Sequence, residues 1–350
     1  MAERESIALS IVTGFLGAGK TTLLNRLLKD PALTDTAVIV NEFGEIAIDH
    51  FLVETAGDGV IELGGGCLCC TVRGELADTL MAVTERPQRP RRVVLETTGL
   101  ADPAPVLQAL AAHPVLSVLY RPEAIIAVVD AVNGASTLDT YEEARRQAAL
   151  ADRIVITKAE LAPDGPEPLR ARLAELNGEA EILDSRDSAP LTAAKLLRPG
   201  FAAGSRTPLT PSFSEAHHHH HHHASHFSSV CLVHEGALPL LAVENFLDLV
   251  TTQQGEQILR IKGLVETDDD PDHPVLIQGA QRLLHAPERL SRWPDNAPRG
   301  TRLVVIGQHL DVEYIRRIFA AFAGQAAVDT PDRKALEENP LAIAAFRPLP

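Results

Sequence analysis

Short runs rich in β-branched and other apolar residues alternate with helix-like stretches from residue 7 to about residue 200. Ile7–Val12, Ala37–Asn41, Arg92–Glu96, Ala124–Asp130, Arg153–Thr157 and Ala180–Leu183 read as strands. Thr21–Leu28, Glu75–Thr84, Tyr141–Ala151 and Pro166–Leu176 have helical periodicity or composition. Such alternation predicts an α/β fold with a mainly parallel sheet covered by helices. The pattern breaks over Gly200–Ser229, where Ser, Pro, Ala and His displace the apolar periodicity and a linker is expected. Beyond it, Val230–Val233, Leu259–Val265, Val275–Gln278 and Arg302–Gly307 read as strands and Leu238–Leu249 and Val312–Ala321 as helices, a small α+β domain. The predicted organisation is a first domain at 1–205, a His-rich linker at 206–228, a second domain at 229–330 and a tail at 331–350 without regular structure.

Composition narrows the range of partners. The 350 residues are 45% hydrophobic and 23% charged, the balance of a globular protein. A formal net charge of -15 would repel a phosphate backbone, so no nucleic-acid partner is expected. No apolar run approaches the ~20 residues of a membrane-spanning helix, so no membrane partner is expected either. The charged start Met1–Ser6 does not read as a signal peptide. Three of the four cysteines sit together at Cys67, Cys69 and Cys70, which suits thiolates converging on a metal and a reducing, cytoplasmic setting better than a disulfide framework. Self-association is left open.

The strongest chemical signal follows the first strand. Gly14-Phe15-Leu16-Gly17-Ala18-Gly19-Lys20-Thr21 satisfies G-x-x-x-x-G-K-[ST] in full and runs into the helix former Thr22–Leu28, which makes the first domain a P-loop NTPase. Gly14, Gly17, Ala18 and Gly19 would let backbone N–H groups turn around the phosphates at a helix N-terminus. Lys20 would reach the β- and γ-phosphates, and Thr21 would ligate Mg²⁺, with Thr22 beside it. Glu96, at the end of an apolar strand, and Gly99, without a Cβ, are candidates for the second phosphate-sensing segment. Thr157-Lys158-Ala159-Glu160 follows another strand and fits the guanine-selective pattern, except that Glu160 stands where Asp is usual; the same residues would also suit a helix start.

Three thiolates at Cys67, Cys69 and Cys70 are a soft ligand set suited to Zn²⁺ or Cu(I), with Co²⁺ and Ni²⁺ tolerated. Zn²⁺ needs a fourth ligand from elsewhere or from water. The run His217, His218, His219, His220, His221, His222 and His223 would bind such metals loosely and release them as pH falls through ~6.5, unless it is a neutral spacer or a tag.

Taken together, Gly14–Thr21, Asn41-Glu42-Phe43-Gly44-Glu45, Gly65-Gly66-Cys67-Leu68-Cys69-Cys70, Glu96–Pro103 and Thr157–Glu160 resemble the CobW-like family of metallochaperone GTPases, relatives of the urease and hydrogenase nickel-insertion GTPases. Arg260-Ile261-Lys262-Gly263 and the run from Val275 to Gly307 are similar to that family's C-terminal domain. The resemblance implies a protein that binds GTP or GDP and Mg²⁺, and that holds a transition metal at the cysteines. Zinc is the first choice and cobalt the second. It further implies that Glu42 joins the metal site, that the His tract is a reservoir, and that GTP hydrolysis accompanies metal delivery to a client protein. A passive metal buffer and a P-loop ATPase or kinase are the alternatives.

Overall fold

The computed structural model describes residues 6–40, 60–62, 72–186, 191–198, 227–294 and 297–324. Its first unit is built on strands β1 (Ile7–Thr13), β2 (Thr36–Val40), β3 (Val60–Glu62), β4 (Arg92–Glu96), β5 (Tyr120–Asp130), β6 (Arg153–Thr157) and β7 (Glu181–Asp184). They form one seven-stranded sheet in the order β3-β2-β4-β1-β5-β6-β7, with every pairing parallel. Helices α1 (Lys20–Leu27), α2 (Val72–Thr84), α3 (Ala104–Ala112), α4 (Leu116–Leu119), α5 (Gly134–Thr140), α6 (Glu142–Leu150), α7 (Glu167–Leu176) and α8 (Ala193–Leu196) occupy the connections.

Parallel strands covered on both faces must be apolar throughout, and β1 is buried at every position. Successive side chains of β4 divide between the two cores. Val93 and Leu95 pack with Leu80 and Leu110 on one face, and Val94 packs with Leu24 and Leu196 on the other. The α/β pattern read from the sequence is therefore present, with corrections at particular elements. Strand β5 starts at Tyr120 rather than Ala124, and its register against β1 shifts between Leu9 and Ser10, where Glu123 is the extra residue. Helix α3 lies where prolines suggest a turn, but Pro103 and Pro105 sit at its start, where a missing N–H costs nothing. Short α5 buries only Gly134 and Leu138, too little apolar periodicity to be legible.

The second unit contains β8 (Phe227–His234), α9 (Leu240–Gln254), β9 (Ile258–Val265), β10 (Val275–Ala280), β11 (Leu283–Leu284), β12 (Glu288–Arg289), β13 (Thr301–Gln308) and α10 (Val312–Phe322). Its antiparallel sheet has the order β11-β10-β9-β13-β8, with β12 paired to β10. Helices α9 and α10 cover one face, where Phe246 meets Phe319 edge-on at 5.3 Å.

The opposite face lies on the first unit. Leu259 and Ala280 join the core that contains Leu107 and Leu110 of α3, while Val304 and Ile306 pack on Ala149 of α6. Arg260 and Lys262, two apart on β9 and so on one face, reach across to Asp152 just before β6.

At the N-terminal edge of the parallel sheet, Arg86, Arg89, Arg91, Arg92 and Arg121 line a cleft of about 630 Å³. Four of these arginines lie within residues 86–92, a local basic cluster that the overall charge of -15 conceals. This cleft is at the end of the strands opposite the P-loop.

Candidate functional site

Ligands of open parallel sheets bind beyond the carboxyl ends of the strands, and there β1 turns into the glycine-rich loop and α1. Gly14, Gly17 and Gly19 all have positive φ, 143°, 70° and 96°. Only glycine takes these conformations readily. At Gly14 space is also decisive, since a Cβ there would stand 2.3 Å from the carbonyl oxygen of Val128 on β5. Lys20 opens α1 and its Nζ donates to the carbonyl of Phe15, 3.3 Å away, so the ammonium lies across the loop.

Glu96, at the end of the neighbouring strand β4, is buried, and its Oε1 accepts a hydrogen bond from Thr21 Oγ1 at 2.9 Å. A hydroxyl and a carboxylate thus converge beside the loop, a pair of hard oxygen donors fitting Mg²⁺ rather than a soft metal. The segment after β4 is tied to β1 as well. Thr97 N donates to Val12 O and Thr97 Oγ1 to Thr13 Oγ1, each at 2.9 Å. Gly99 then presses on the P-loop backbone, where a Cβ would come within 2.7 Å of the Leu16 nitrogen.

The end of β6 closes the third side. Thr157 Oγ1 donates to the Ala18 carbonyl at 2.6 Å. Lys158 takes a left-handed conformation, φ 55°, which swings Nζ onto the Gly17 carbonyl at 2.8 Å and onto Asp130 Oδ2 at 2.6 Å. Burial would raise the pKa of Asp130, but bonds from Lys158 and from the Val132 and Asn133 amides outweigh it and keep the carboxyl ionised below its ordinary range. Phe15 packs against Tyr141, with ring centroids 4.5 Å apart and planes tilted by 35°.

A family model described as "CobW/HypB/UreG, nucleotide-binding domain" matches residues 8–184, and one described as "Cobalamin synthesis protein cobW C-terminal domain" matches residues 227–323. The chain belongs to the CobW/HypB/UreG family. It is 33% identical to the zinc chaperone YjiA of Escherichia coli over 323 residues, 91% of this chain and 98% of that relative. With the zinc chaperone CobW of Pseudomonas aeruginosa it shares 34% identity over 87% of this chain and 88% of the relative. The solved structure of Zn(II)-bound YjiA GTPase from Escherichia coli covers 91% of this chain and 99% of its own, with TM-score 0.60 and 26% identity.

In this CobW-family chain Gly14, Gly17, Ala18, Gly19, Lys20, Thr21, Thr22, Glu96, Gly99, Thr157 and Lys158 gather at the carboxyl ends of β1, β4 and β6. Glu160 is exposed in the short turn Ala159–Leu161 that follows β6. Glu42, Cys67, Cys69, Cys70 and His217–His223 lie outside the described residues. Among the described residues no group of three metal-binding side chains occurs, and no helix is long and apolar enough to cross a membrane. Cys231 is exposed on the edge strand β8.

Two site-bearing residues escape a reading of the sequence. Asp130 carries a signal, a carboxylate closing an apolar strand as Glu96 does. Gln147 carries a fainter one, a polar residue interrupting the apolar stripe Ala144, Ala148 and Ala151.

Proposed function

We propose that the chain is a GTP-hydrolysing metallochaperone. It takes GTP and Mg²⁺ at the P-loop and holds a transition metal, zinc first and cobalt second, at Cys67, Cys69 and Cys70 with Glu42. It passes that metal to a metal-requiring client protein. The His tract His217–His223 would be its reservoir, ahead of a second domain that begins at Phe227, where β8 starts, rather than at residue 229.

The observation that carries the reading is the convergence of three strand ends on one loop. Thr21 and Glu96 meet at 2.9 Å, Gly99 rests on Leu16, and Thr157 and Lys158 hold Ala18 and Gly17. Thr21 and Glu96 would hold Mg²⁺, which when bound offsets phosphate charge. The backbone of Gly14–Gly19 cradles the phosphates, Lys20 moves from Phe15 to them, and the amide of Gly99 meets the γ-phosphate. The anchoring of Lys158 on the loop supports Thr157–Glu160 as the guanine-reading segment. The zinc preference is supported by relatives named zinc chaperones and by the softness of the thiolates.

Intrinsic hydrolysis is slow in this reading. Arg146, the arginine beside the Gly99 segment, is held by Asp102 at 2.6 Å. GTP closes the segments at Asn41–Glu45 and Glu96–Gly99 and completes the cysteine site. By linkage, metal must then tighten GTP by the factor by which GTP tightens metal. A nearly complete swing requires about 5.5 kcal/mol of differential binding.

Lys20→Ala tests the reading against a passive metal buffer. In a GTP-driven chaperone it should abolish hydrolysis and metal transfer, whereas in a passive buffer it should leave metal loading of the isolated chain intact. Equal GTP affinity with and without Zn²⁺, or nucleotide turnover and metal stoichiometry both unchanged after conversion of all three clustered cysteines to serine, would overturn the reading.

A further inference from the structure

Helix α6 holds the segment that follows Glu96. Gln147, in its centre and 2% exposed, donates from Nε2 to the Gly99 carbonyl at 3.1 Å and to the Ala101 carbonyl at 2.9 Å. Two carbonyls demand the amide nitrogen, so the orientation of this side chain is decided by its neighbours. One residue back, Arg146 Nη1 donates to Asp102 Oδ2 at 2.6 Å. The whole turn Gly99–Asp102 is therefore carried on one face of α6.

Helix α6 in turn rides on the second unit, which grips it at both ends. Near its start, Gln308 at the end of β13 accepts from Arg146 Nη2 at 3.3 Å and donates through Nε2 to Glu142 Oε1. At its last residue, Arg260 Nη1 of β9 donates to the Leu150 carbonyl at 2.8 Å, a cation on a helix C-terminus. Between these grips Ala149 packs on Val304 and Ile306. A cavity of about 40 Å³ beside the P-loop is lined by Gly14, Leu16, Val128 and Gln147, so Gln147 reaches the loop as well as the Gly99 turn.

We propose that Gln147 is a positioning residue for Gly99 and that the C-terminal sheet sets its position through α6, so that preference for a triphosphate over a diphosphate depends on contacts made by Gln308. The path is contiguous: γ-phosphate, Gly99, Gln147, α6, Gln308, β13. Coupling along it is reciprocal, so a change in the seat of Gln308 alters triphosphate affinity by the factor by which the triphosphate shifts that seat. The inference rests on the reading that Gly99 meets the γ-phosphate.

The test titrates the full chain, in Mg²⁺, with GDP and with a non-hydrolysable GTP analogue. Gln147→Met keeps the length and apolar stem but removes both donors. Analogue affinity should fall about tenfold, the worth of one to two hydrogen bonds, while GDP affinity stays within about twofold. Gln308→Ala, at a half-buried position remote from the nucleotide, should lower analogue affinity about threefold, the worth of a fraction of one hydrogen bond, with GDP unchanged. A parallel loss for both nucleotides in Gln147→Met would mark Gln147 as a structural residue only and overturn the proposal. So would an unaltered ratio in Gln308→Ala, and this variant alone decides should Gln147→Met fail to fold. A wild-type chain that binds neither nucleotide overturns both this inference and the proposed function. A wild-type chain that favours the analogue, beside variants that keep the preference, overturns the inference alone.

Discussion

Replacing Asp152 with alanine should cost more stability than any surface change in the molecule. Its carboxylate is fully buried between the two units, as are Arg260 and Lys262 at 4% and 5% side-chain exposure. Oδ1 accepts from Lys262 Nζ at 2.7 Å, and Oδ2 accepts from Arg260 Nη1 at 2.9 Å and from the Ile125 amide at 2.8 Å. Burial alone would raise the Asp152 pKa, but the two cations hold it well below the carboxylate range. At an effective dielectric constant of about 20 each pair contributes roughly 4 kcal/mol of attraction, much of it offset by desolvation. Asp152→Ala keeps the desolvation cost of both cations and removes the attraction, so the net loss should be about 3–5 kcal/mol. That is roughly 4–7 °C in melting temperature for a chain of this size, at about 2.1 cal/mol/K of unfolding entropy per residue. The assay is thermal and urea unfolding of the full chain, with limited proteolysis to detect separate melting of the two units. A companion variant, Asp152→Leu with Arg260→Met and Lys262→Met, should recover most of the loss, because no buried charge remains unmatched. A loss under about 1 kcal/mol, or a companion no better than Asp152→Ala, would refute the argument.

Three further outcomes follow from the geometry. Gly14→Ala places a Cβ 2.3 Å from the Val128 carbonyl at φ 143°, so nucleotide binding should be lost and stability should fall by at least about 1–3 kcal/mol, read by calorimetry. Gly99→Ala drives a Cβ to 2.7 Å from the Leu16 nitrogen and should weaken a GTP analogue more than GDP, read by competition titration; equal weakening would remove Gly99 from γ-phosphate sensing. Burial, with the Arg260 cation adding to it, pulls His285 down to about 4. The unfolded chain, near 6.5, takes up this proton first, so the stability owed to neutral His285 is complete above pH 6.5 and lost as pH falls towards 4. Relative to His285→Gln, the wild-type melting temperature should therefore drop faster between pH 6.5 and pH 4.5; parallel curves would refute the assignment.

What could be read in advance is what the chain encodes locally. The P-loop needs glycines at positive φ in consecutive turns, followed by a lysine and a hydroxyl at the head of a helix, and all of this is contiguous in Gly14–Thr21. Strands β4 and β6 were legible to the residue, because buried parallel strands are apolar throughout and end abruptly at Glu96 and at Thr157-Lys158. Short helices with proline or polar composition, such as α3 and α5, were not, because packing stabilises them more than propensity does.

Only the tertiary structure decided how the two units meet. Asp152 lies 108 residues from Arg260 and 110 from Lys262, and Arg146 lies 162 residues from Gln308. No periodicity links such positions, and in the sequence each is an ordinary charged or polar residue. The Arg260-Ile261-Lys262-Gly263 run could be matched to a domain, but not to the carboxylate that makes its burial affordable. The same holds for Gln147, whose amide acquires a purpose only when folding brings the carbonyls of Gly99 and Ala101 to it. Local backbone requirements are written residue by residue, whereas the pairing of buried polar groups depends on which surfaces the completed sheets press together.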